Sequence, residues 1–177
     1  MHEDILKVLY SYEDIDKRAK ELGKIISEEY KDKNPVFLCL LKGSIPFTAK
    51  LMEYIDVPME LECLRAQSYV GTKSTGDVKL AEFDFDSIKN RDVLIIEDII
   101  DTGITLKKVT EVLNEHGAKT VEICTLIKKL GTNITQIEPK YIGFTIENEF
   151  VVGFGLDFNE AYRNLSYIGV LKPSKYS

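Results

Sequence analysis

Hydrophobic and polar positions alternate along this chain in blocks whose spacing predicts helices and strands in turn. Between positions 11 and 30 the apolar residues recur every three or four positions, which predicts an amphipathic helix. A capping box, with Asp14 in place of the usual Glu or Gln, marks its start. The continuous apolar run 35–41 is typical of a strand buried on both faces of a parallel sheet. A second helix is predicted from Pro46 to about Tyr54.

The same alternation continues to about residue 128. Strands are predicted over 59–65, 78–83, 92–96 and 120–127, and a helix that ends near Gly117 separates the last two. Repeated strand–helix–strand units imply a parallel sheet with right-handed crossovers and helices on both faces. The sequence therefore predicts an α/β fold with a doubly wound, mainly parallel sheet.

The pattern changes after Lys128. Short strands are predicted over 141–146, 150–156 and 167–171, with no long helix between them. We expect these strands, joined by residues near the N-terminus, to form a small hood subdomain. The prediction is thus one domain over 1–177, with a core of about 11–128 and a hood from about 1–10 and 129–177.

A long polar connection, residues 68–77, lies between two predicted strands. A hairpin needs only two to five loop residues, so this segment is longer than the geometry requires. Loops of this length are often lids or binding loops. An idle surface loop is an equally good interpretation at this point.

Composition restricts the partners and the compartment. The 177 residues include 23 Lys and Arg against 29 Asp and Glu, a formal net charge of −6, which argues against binding nucleic acid or anionic lipid by bulk electrostatics. Cys39, Cys63 and Cys124 are far apart in apolar runs, as expected for small buried hydrophobes rather than disulfides or zinc ligands. The acidic N-terminus is unlike a signal peptide, and no apolar run could span a bilayer. We expect a soluble, cytoplasmic protein.

Three acidic residues follow the predicted strand 92–96. Glu97, Asp98 and Asp101 stand where ligands bind in open parallel sheets, beyond the carboxyl end of a strand. Three carboxylates within five residues repel one another, and core stability gives no reason to gather them. They are therefore candidate site residues, although a solvated acidic turn would look the same.

The segment after the acids has the chemistry of an anion site. Residues 101–105 run directly into a helix, so their backbone N–H groups can converge on a phosphate. Gly103 permits close approach, and Thr102 and Thr105 add hydroxyl donors. Neither the P-loop motif nor the dinucleotide-binding glycine motif occurs in the chain. A phosphate loop beside two acids suggests a sugar phosphate as ligand.

Residues 93–106 resemble the phosphoribosyl-pyrophosphate signature of the type I phosphoribosyltransferases. Residues 41–44 resemble that family's pyrophosphate loop, and Ser68 and Tyr69 begin a segment similar to its mobile catalytic loop. Residues 150–157, followed by 162–165, resemble the purine-binding hood of the hypoxanthine(-guanine) branch. Four motifs in the family's order make an accidental match improbable.

The resemblance implies a purine-salvage reaction. Ribose 5-phosphate passes from phosphoribosyl pyrophosphate to a 6-oxopurine base, hypoxanthine or guanine, which gives IMP or GMP and pyrophosphate. It also implies a homodimer or homotetramer and Mg²⁺ as cofactor, held mostly by substrate oxygens and water. Asp157 is the main implied protein partner of the metal, with Glu97 and Asp98 as further candidates.

The resemblance also implies roles for individual residues. Asp101 would be the general base, or hold the proton of the purine nitrogen. Glu97 and Asp98 would bind the ribose hydroxyls or the metal shell. The 5′-phosphate would be bound by Thr102, Gly103, Ile104 and Thr105, with only the backbone available at Ile104. Pyrophosphate would be bound by the backbone of Lys42 and Gly43 and by the guanidinium of Arg163.

The implied base site lies later in the chain. Lys128 would donate to the purine 6-oxo group and so select against adenine, which presents a donor there. Phe150 would stack on the purine, and the Val151 backbone would meet its edge. Without the resemblance, a solvated lysine and ordinary strand core are the simpler interpretations.

Three alternatives stay open on the sequence alone. A non-catalytic sensor with this fold would need a basic face or an added DNA-binding module, and neither is visible. A receiver-like domain with clustered acids would leave Asp157, Arg163 and the long loop unexplained. An enzyme that also accepts xanthine is hard to separate, since the backbone reads that exocyclic position.

Overall fold

A computed structural model of the chain describes residues 1–68, 78–80 and 83–176. Tyr69 and nearly all of the predicted long loop lie outside the described residues. The strands are β1 (Ile5–Tyr10), β2 (Val36–Leu41), β3 (Glu60–Ser68), β4 (Val78–Leu80), β5 (Asp92–Ile100), β6 (Thr120–Lys129), β7 (Tyr141–Ile146), β8 (Val151–Val152) and β9 (Ile168–Leu171). The helices are α1 (Tyr12–Glu29), α2 (Ile45–Met52) and α3 (Ile104–Glu115).

The main sheet has the strand order β4-β3-β2-β5-β6-β7. Strands β3, β2, β5, β6 and β7 are parallel to one another, and β4 runs antiparallel to β3 at one edge. The predicted mainly parallel α/β fold is confirmed. Because β2 and β5 are neighbours, their carboxyl ends bring residues 41–44 and 97–101 to the same edge of the sheet.

The core has two layers, one on each face of this sheet. On one face, α1 and α2 pack against Phe37 and Leu94, and on the other, α3 packs against Val93 and Ile95. Neighbouring residues of β5 enter opposite layers because side chains alternate along a strand. The capping box of α1 is present, with Ser11 Oγ accepting from the Asp14 N–H at 3.1 Å.

A second, antiparallel sheet forms the hood, in the order β1-β9-β8. The N-terminal strand β1 pairs with β9, near the C-terminus, so residues near the N-terminus lie in this second sheet. Only residues 151–152 of the predicted strand 150–156 are extended. Gly153 and Gly155 both have φ of +100°, which turns the chain there.

Strand β7 lies in the main sheet, so its predicted place in the hood is wrong. It pairs in parallel with β6, and the connection 130–140 contains no helix that would have signalled a crossover. The guanidinium of Arg18 donates to the carbonyls of Ile142 and Gly143 at 2.7 and 2.9 Å. Helix α1 is thereby tied to this outer strand.

Two smaller expectations are also decided by the structure. All three cysteines are free, but Cys63 is exposed and not buried like Cys39 and Cys124. Among the described residues, no helix is long and apolar enough to cross a membrane.

Candidate active site

The turn after β2 presses its backbone against the acids of β5. The peptide bond between Leu41 and Lys42 is cis, and Gly43 follows it. A Cβ on Gly43 would lie 1.6 Å from Asp98 Oδ2, and one on Gly155 would lie 1.9 Å from the Gly43 carbonyl oxygen. Glycine is therefore required at both positions for the turn, β5 and the hood to meet.

A cleft of about 430 Å³ opens at this meeting point. One wall comes from β5 and the turn into α3, and its predicted site residues are Glu97, Asp98, Asp101, Thr102, Gly103 and Thr105. The other wall contains Lys42, Gly43, Asp157 and Arg163. Ten of the residues predicted from three separate motifs thus line one cavity.

The turn into α3 has the geometry expected of a phosphate loop. Gly103 precedes the helix with φ of +79°, and a Cβ there would lie 2.3 Å from Thr135 Oγ1. The N-cap residue Gly103 has no side chain to cap this helix, and the Ile104 N–H makes only a long contact of 3.5 Å with Thr102 Oγ1. The first N–H groups of an uncapped helix are available to an anion. Ile104 is not among the residues that line the cleft, so the predicted backbone contact at that position stays a prediction.

Glu97 and Asp98 form a crowded acidic pair on β5. Burial raises the pKa of the Glu97 carboxyl well above its usual value, and the neighbouring charge of Asp98 adds to this. Burial also raises the pKa of Asp98, against the effect of nearby Arg163. Each carboxylate accepts the N–H of the residue after it, at 3.0 and 2.7 Å. A cation or sugar hydroxyls would stabilise the charged forms of this pair.

Arg163 and Asp157 meet on the opposite wall. Arg163 Nη2 lies 2.8 Å from Asp157 Oδ1, and Nη1 donates to the Gly155 carbonyl at 2.8 Å. The second carboxylate oxygen of Asp157 accepts the Glu160 N–H at 2.9 Å. Both charged groups are thus held in defined orientations at the cleft.

The donor chemistry of the cleft suits magnesium with few protein ligands. The described part of the chain contains no cluster of three or more His, Cys, Asp or Glu side chains that could hold a metal ion. Mg²⁺ prefers hard oxygen ligands and often keeps water and substrate oxygens in its shell. The carboxylates of Glu97, Asp98 and Asp157 line the cleft and could complete such a shell.

A second pocket, of about 200 Å³, adjoins the cleft. It shares four lining residues with the cleft, which are Asp98, Ile99, Asp101 and Asp157. The rest of its lining is apolar apart from one amine and consists of Phe150, Val151, Leu156 and Lys129. Such a lining suits a flat heterocycle with one acceptor edge.

The lysine at this pocket is Lys129, and the prediction of Lys128 there is not supported. Lys128 forms an ion pair with Glu138 and does not line the pocket. Lys129 Nζ lies 3.2 Å from Asp101 Oδ2, and its side chain is only 11% exposed. Adjacent strand residues point to opposite faces. The predicted strand ends at Ile127, two residues before β6 does, so the sequence pattern does not show which of the two lysines faces the pocket.

Sequence reasoning also missed two apolar residues of the pocket, Ile99 and Leu156. The predicted strand ends at residue 96, whereas β5 continues to Ile100 and so includes Ile99. Phe150 and Val151 line the pocket as predicted. Ser68 is the last residue of β3, and the rest of the predicted mobile loop, with Tyr69, lies outside the described residues.

Comparison with known proteins identifies the family. The family model of the phosphoribosyl transferase domain matches residues 9–159. The chain belongs to the phosphoribosyltransferases. The receiver-like alternative is therefore wrong, and the family to which the sequence motifs pointed is confirmed.

The similar phosphoribosyltransferases match over nearly the whole chain. The hypoxanthine-guanine phosphoribosyltransferase of Lactococcus lactis is 54% identical over 175 residues, which cover 98% of this chain and 94% of the relative. That of Staphylococcus epidermidis is 48% identical over 178 residues, covering 100% and 99%. A crystal structure of a hypoxanthine phosphoribosyltransferase from Staphylococcus aureus superimposes with a TM-score of 0.95 at 46% identity, covering 100% and 97%.

Proposed function

We propose that this phosphoribosyltransferase transfers ribose 5-phosphate from phosphoribosyl pyrophosphate to hypoxanthine and guanine. The products are IMP or GMP and pyrophosphate, which makes the chain a purine-salvage enzyme. One observation carries the proposal: the turn into α3, the turn after β2 and a small pocket lined by apolar and charged side chains meet at the segment 98–101. The named relatives, similar over the full chain, support the same substrates.

Phosphoribosyl pyrophosphate would bind with its 5′-phosphate at one wall of the cleft and its pyrophosphate at the other. The backbone N–H groups of 102–105, at the start of α3, would bind the 5′-phosphate. Lys42, Gly43 and Arg163 would bind the pyrophosphate, with the guanidinium fork suited to two phosphate oxygens. The ribose between them would place its hydroxyls near Glu97 and Asp98.

Magnesium would be held by Asp157, Glu97 and Asp98 together with substrate oxygens. When bound, it would supply positive charge against the pyrophosphate. Arg163 would serve the same purpose, and so would the side chain of Lys42 in addition to its backbone, because Lys42 Nζ and Arg163 Nη2 both lie beside the Glu160 carboxylate at this wall. The net charge of −6 makes these local cations necessary for so anionic a substrate.

Asp101 would accept the proton that the purine nitrogen loses. Its carboxylate borders both cavities, so it lies between the base and the ribose. As the C1′–O bond breaks, its electron pair leaves with pyrophosphate and positive charge develops on the ribose ring. The purine nitrogen then bonds to C1′, and its proton passes to Asp101. Lys129, at 3.2 Å, orients that carboxylate.

Base selection is assigned to the smaller pocket. The Lys129 ammonium would donate to the 6-oxo group of hypoxanthine or guanine. Adenine presents an amino donor at that place, and a donor facing a buried ammonium is strongly disfavoured. Phe150 and Ile99 would contact the faces of the purine, and the Val151 backbone would meet its edge.

Self-assembly, cellular location and the loop after β3 complete the proposal. We infer a homodimer or homotetramer from the resemblance to the family, and a cytoplasmic location from the composition of the chain. The loop beginning at Ser68 and Tyr69 would cover the substrates and exclude water from the oxocarbenium-like centre.

A direct assay tests the function. The protein is incubated with phosphoribosyl pyrophosphate, Mg²⁺ and one purine at a time, and nucleotide and pyrophosphate are measured. We expect turnover with hypoxanthine and guanine and none with adenine. The result with xanthine shows whether the enzyme accepts a third 6-oxopurine. Absence of nucleotide with every 6-oxopurine would refute the proposal.

A further inference from the structure

Glu160 contacts both side-chain cations of the pyrophosphate wall. Its Oε2 lies 3.0 Å from Lys42 Nζ and 3.5 Å from Arg163 Nη2. The side chain is 65% exposed, so the carboxylate contributes little to the core. A single carboxylate thus holds the two groups that the proposed function assigns to pyrophosphate.

The backbone conformation of the turn fixes the position of Glu160 beside the pyrophosphate wall. Asn159 and Glu160 both have positive φ, of +50° and +63°, in the turn that follows Asp157. The Glu160 N–H donates to Asp157 Oδ2, so the turn is tied to the same acid that orients Arg163. Arg163 also pairs with Asp157 at 2.8 Å, a contact that does not involve the Glu160 side chain.

We propose that Glu160 is a resident counter-ion of the pyrophosphate site. Its carboxylate pairs with Lys42 and Arg163 in the free protein, yields them to the arriving pyrophosphate group, and pairs with them again as pyrophosphate leaves. This inference rests on the proposed function, because that function makes the two cations pyrophosphate ligands.

The charges favour such an exchange. Pyrophosphate carries several negative charges and many acceptor oxygens, so it competes well against one carboxylate for two cations. Exposed ion pairs are weak, and breaking this one should cost about two- to five-fold in affinity for the anion. Glu160 would therefore lower the affinity for pyrophosphate in both directions of the reaction.

The test is Glu160→Gln, which removes the charge and keeps the size and the backbone contact with Asp157. We expect the KM for phosphoribosyl pyrophosphate and the inhibition constant of magnesium pyrophosphate to fall about two- to five-fold. The KM for hypoxanthine should stay the same. Damage to the turn would weaken the binding of both anions, so tighter binding cannot come from a structural defect.

A matched control is Glu21→Gln. Glu21 is an exposed acid on α1, 2.7 Å from Arg18 Nη1, so its variant loses the same charge from a similar pair on α1. It should leave the pyrophosphate constants unchanged. Calorimetric titration of wild type and both variants with magnesium pyrophosphate gives a second, activity-independent readout.

The outcomes separate this inference from the proposed function. If wild type neither consumes phosphoribosyl pyrophosphate nor binds pyrophosphate, the proposed function fails. If wild type does both and Glu160→Gln binds pyrophosphate equally or more weakly, only the counter-ion role is overturned. An equal gain in Glu21→Gln would overturn it too, because the effect would then come from net charge alone.

Discussion

The ring of Tyr176 stacks on the ring of Phe150, with centroids 4.7 Å apart and an interplanar angle of 21°. Phe158 contacts the edge of this pair. The C-terminal segment is held in place by Lys175, whose Nζ lies 2.7 Å from Asp4 Oδ1. Tyr176 therefore covers one face of the aromatic ring that we assign to purine stacking.

Truncating this support should weaken base binding. Stacked aromatic pairs contribute about 0.5–1.5 kcal/mol beyond area burial, so Tyr176→Ala should raise the KM for hypoxanthine roughly two- to ten-fold. The KM for phosphoribosyl pyrophosphate should stay constant, and Tyr176→Phe should behave as wild type. Steady-state kinetics with each substrate varied in turn checks this. An unchanged KM for hypoxanthine in Tyr176→Ala would contradict the support role.

Asp101→Asn removes the proposed base and keeps its shape. We expect kcat to fall by about two or more orders of magnitude, the usual scale of general acid–base catalysis. The melting temperature should change little, since Asp101 is exposed and lies outside the core. Wild-type kcat in this variant would show that another group takes the proton.

The two adjacent lysines provide a paired test of the base site. Hydrogen bonds to charged groups contribute about 1.5–3 kcal/mol, so Lys129→Met should raise the KM for hypoxanthine by roughly 10- to 150-fold. Lys128→Met, which breaks only the pair with Glu138, should keep a KM close to that of wild type. A larger rise in the KM for hypoxanthine in Lys128→Met than in Lys129→Met would assign the purine contact to Lys128 instead.

Asp92 links stability to pH. Burial alone would raise the pKa of this carboxyl, but hydrogen bonds from Thr120 and Lys119 outweigh it and lower the pKa. A carboxyl with a depressed folded-state pKa stabilises the fold above its unfolded pKa, near 3.9, and loses that contribution as the pH falls. Wild type should therefore lose stability in acid below about pH 4.

The matched variant is Asp92→Asn. At pH 7 it should reduce the free energy of unfolding by about 1–3 kcal/mol, the cost of disturbing a buried, hydrogen-bonded charge. Near pH 3 the difference from wild type should shrink. Urea unfolding at both pH values measures this. A difference that grows in acid would show that the carboxyl is not the stabilising group.

Much of the fold could be predicted because burial on both faces leaves a clear local pattern. The apolar runs of β2 and β5 and the spacing in α1 are signals that a few neighbouring residues carry. Strand β7 was misplaced because its parallel pairing with β6 is a long-range contact without a crossover helix. Strand pairing of this kind depends on distant residues, so local periodicity does not reveal it.

The site was predictable where a motif is contiguous and less so where a strand ends. The acids and the phosphate loop follow one another in the sequence, so their shared location follows from one strand and one helix. Choosing Lys129 over Lys128 requires the strand end to within one residue, because each step reverses the side-chain direction. No local sequence pattern indicates the stacking of Tyr176, because its partner Phe150 lies 26 positions earlier in the chain.

The bond between Arg18 and the outer strand β7 has a consequence for self-assembly. An open sheet edge with free carbonyls can accept a strand from another molecule and begin aggregation. The guanidinium of Arg18 bonds to the carbonyls of Ile142 and Gly143, and because neighbouring carbonyls of a strand point to opposite edges, one of the two lies on the open edge. Helix α1 thus protects this side of the protein against unwanted strand addition, a safeguard in place before any substrate arrives.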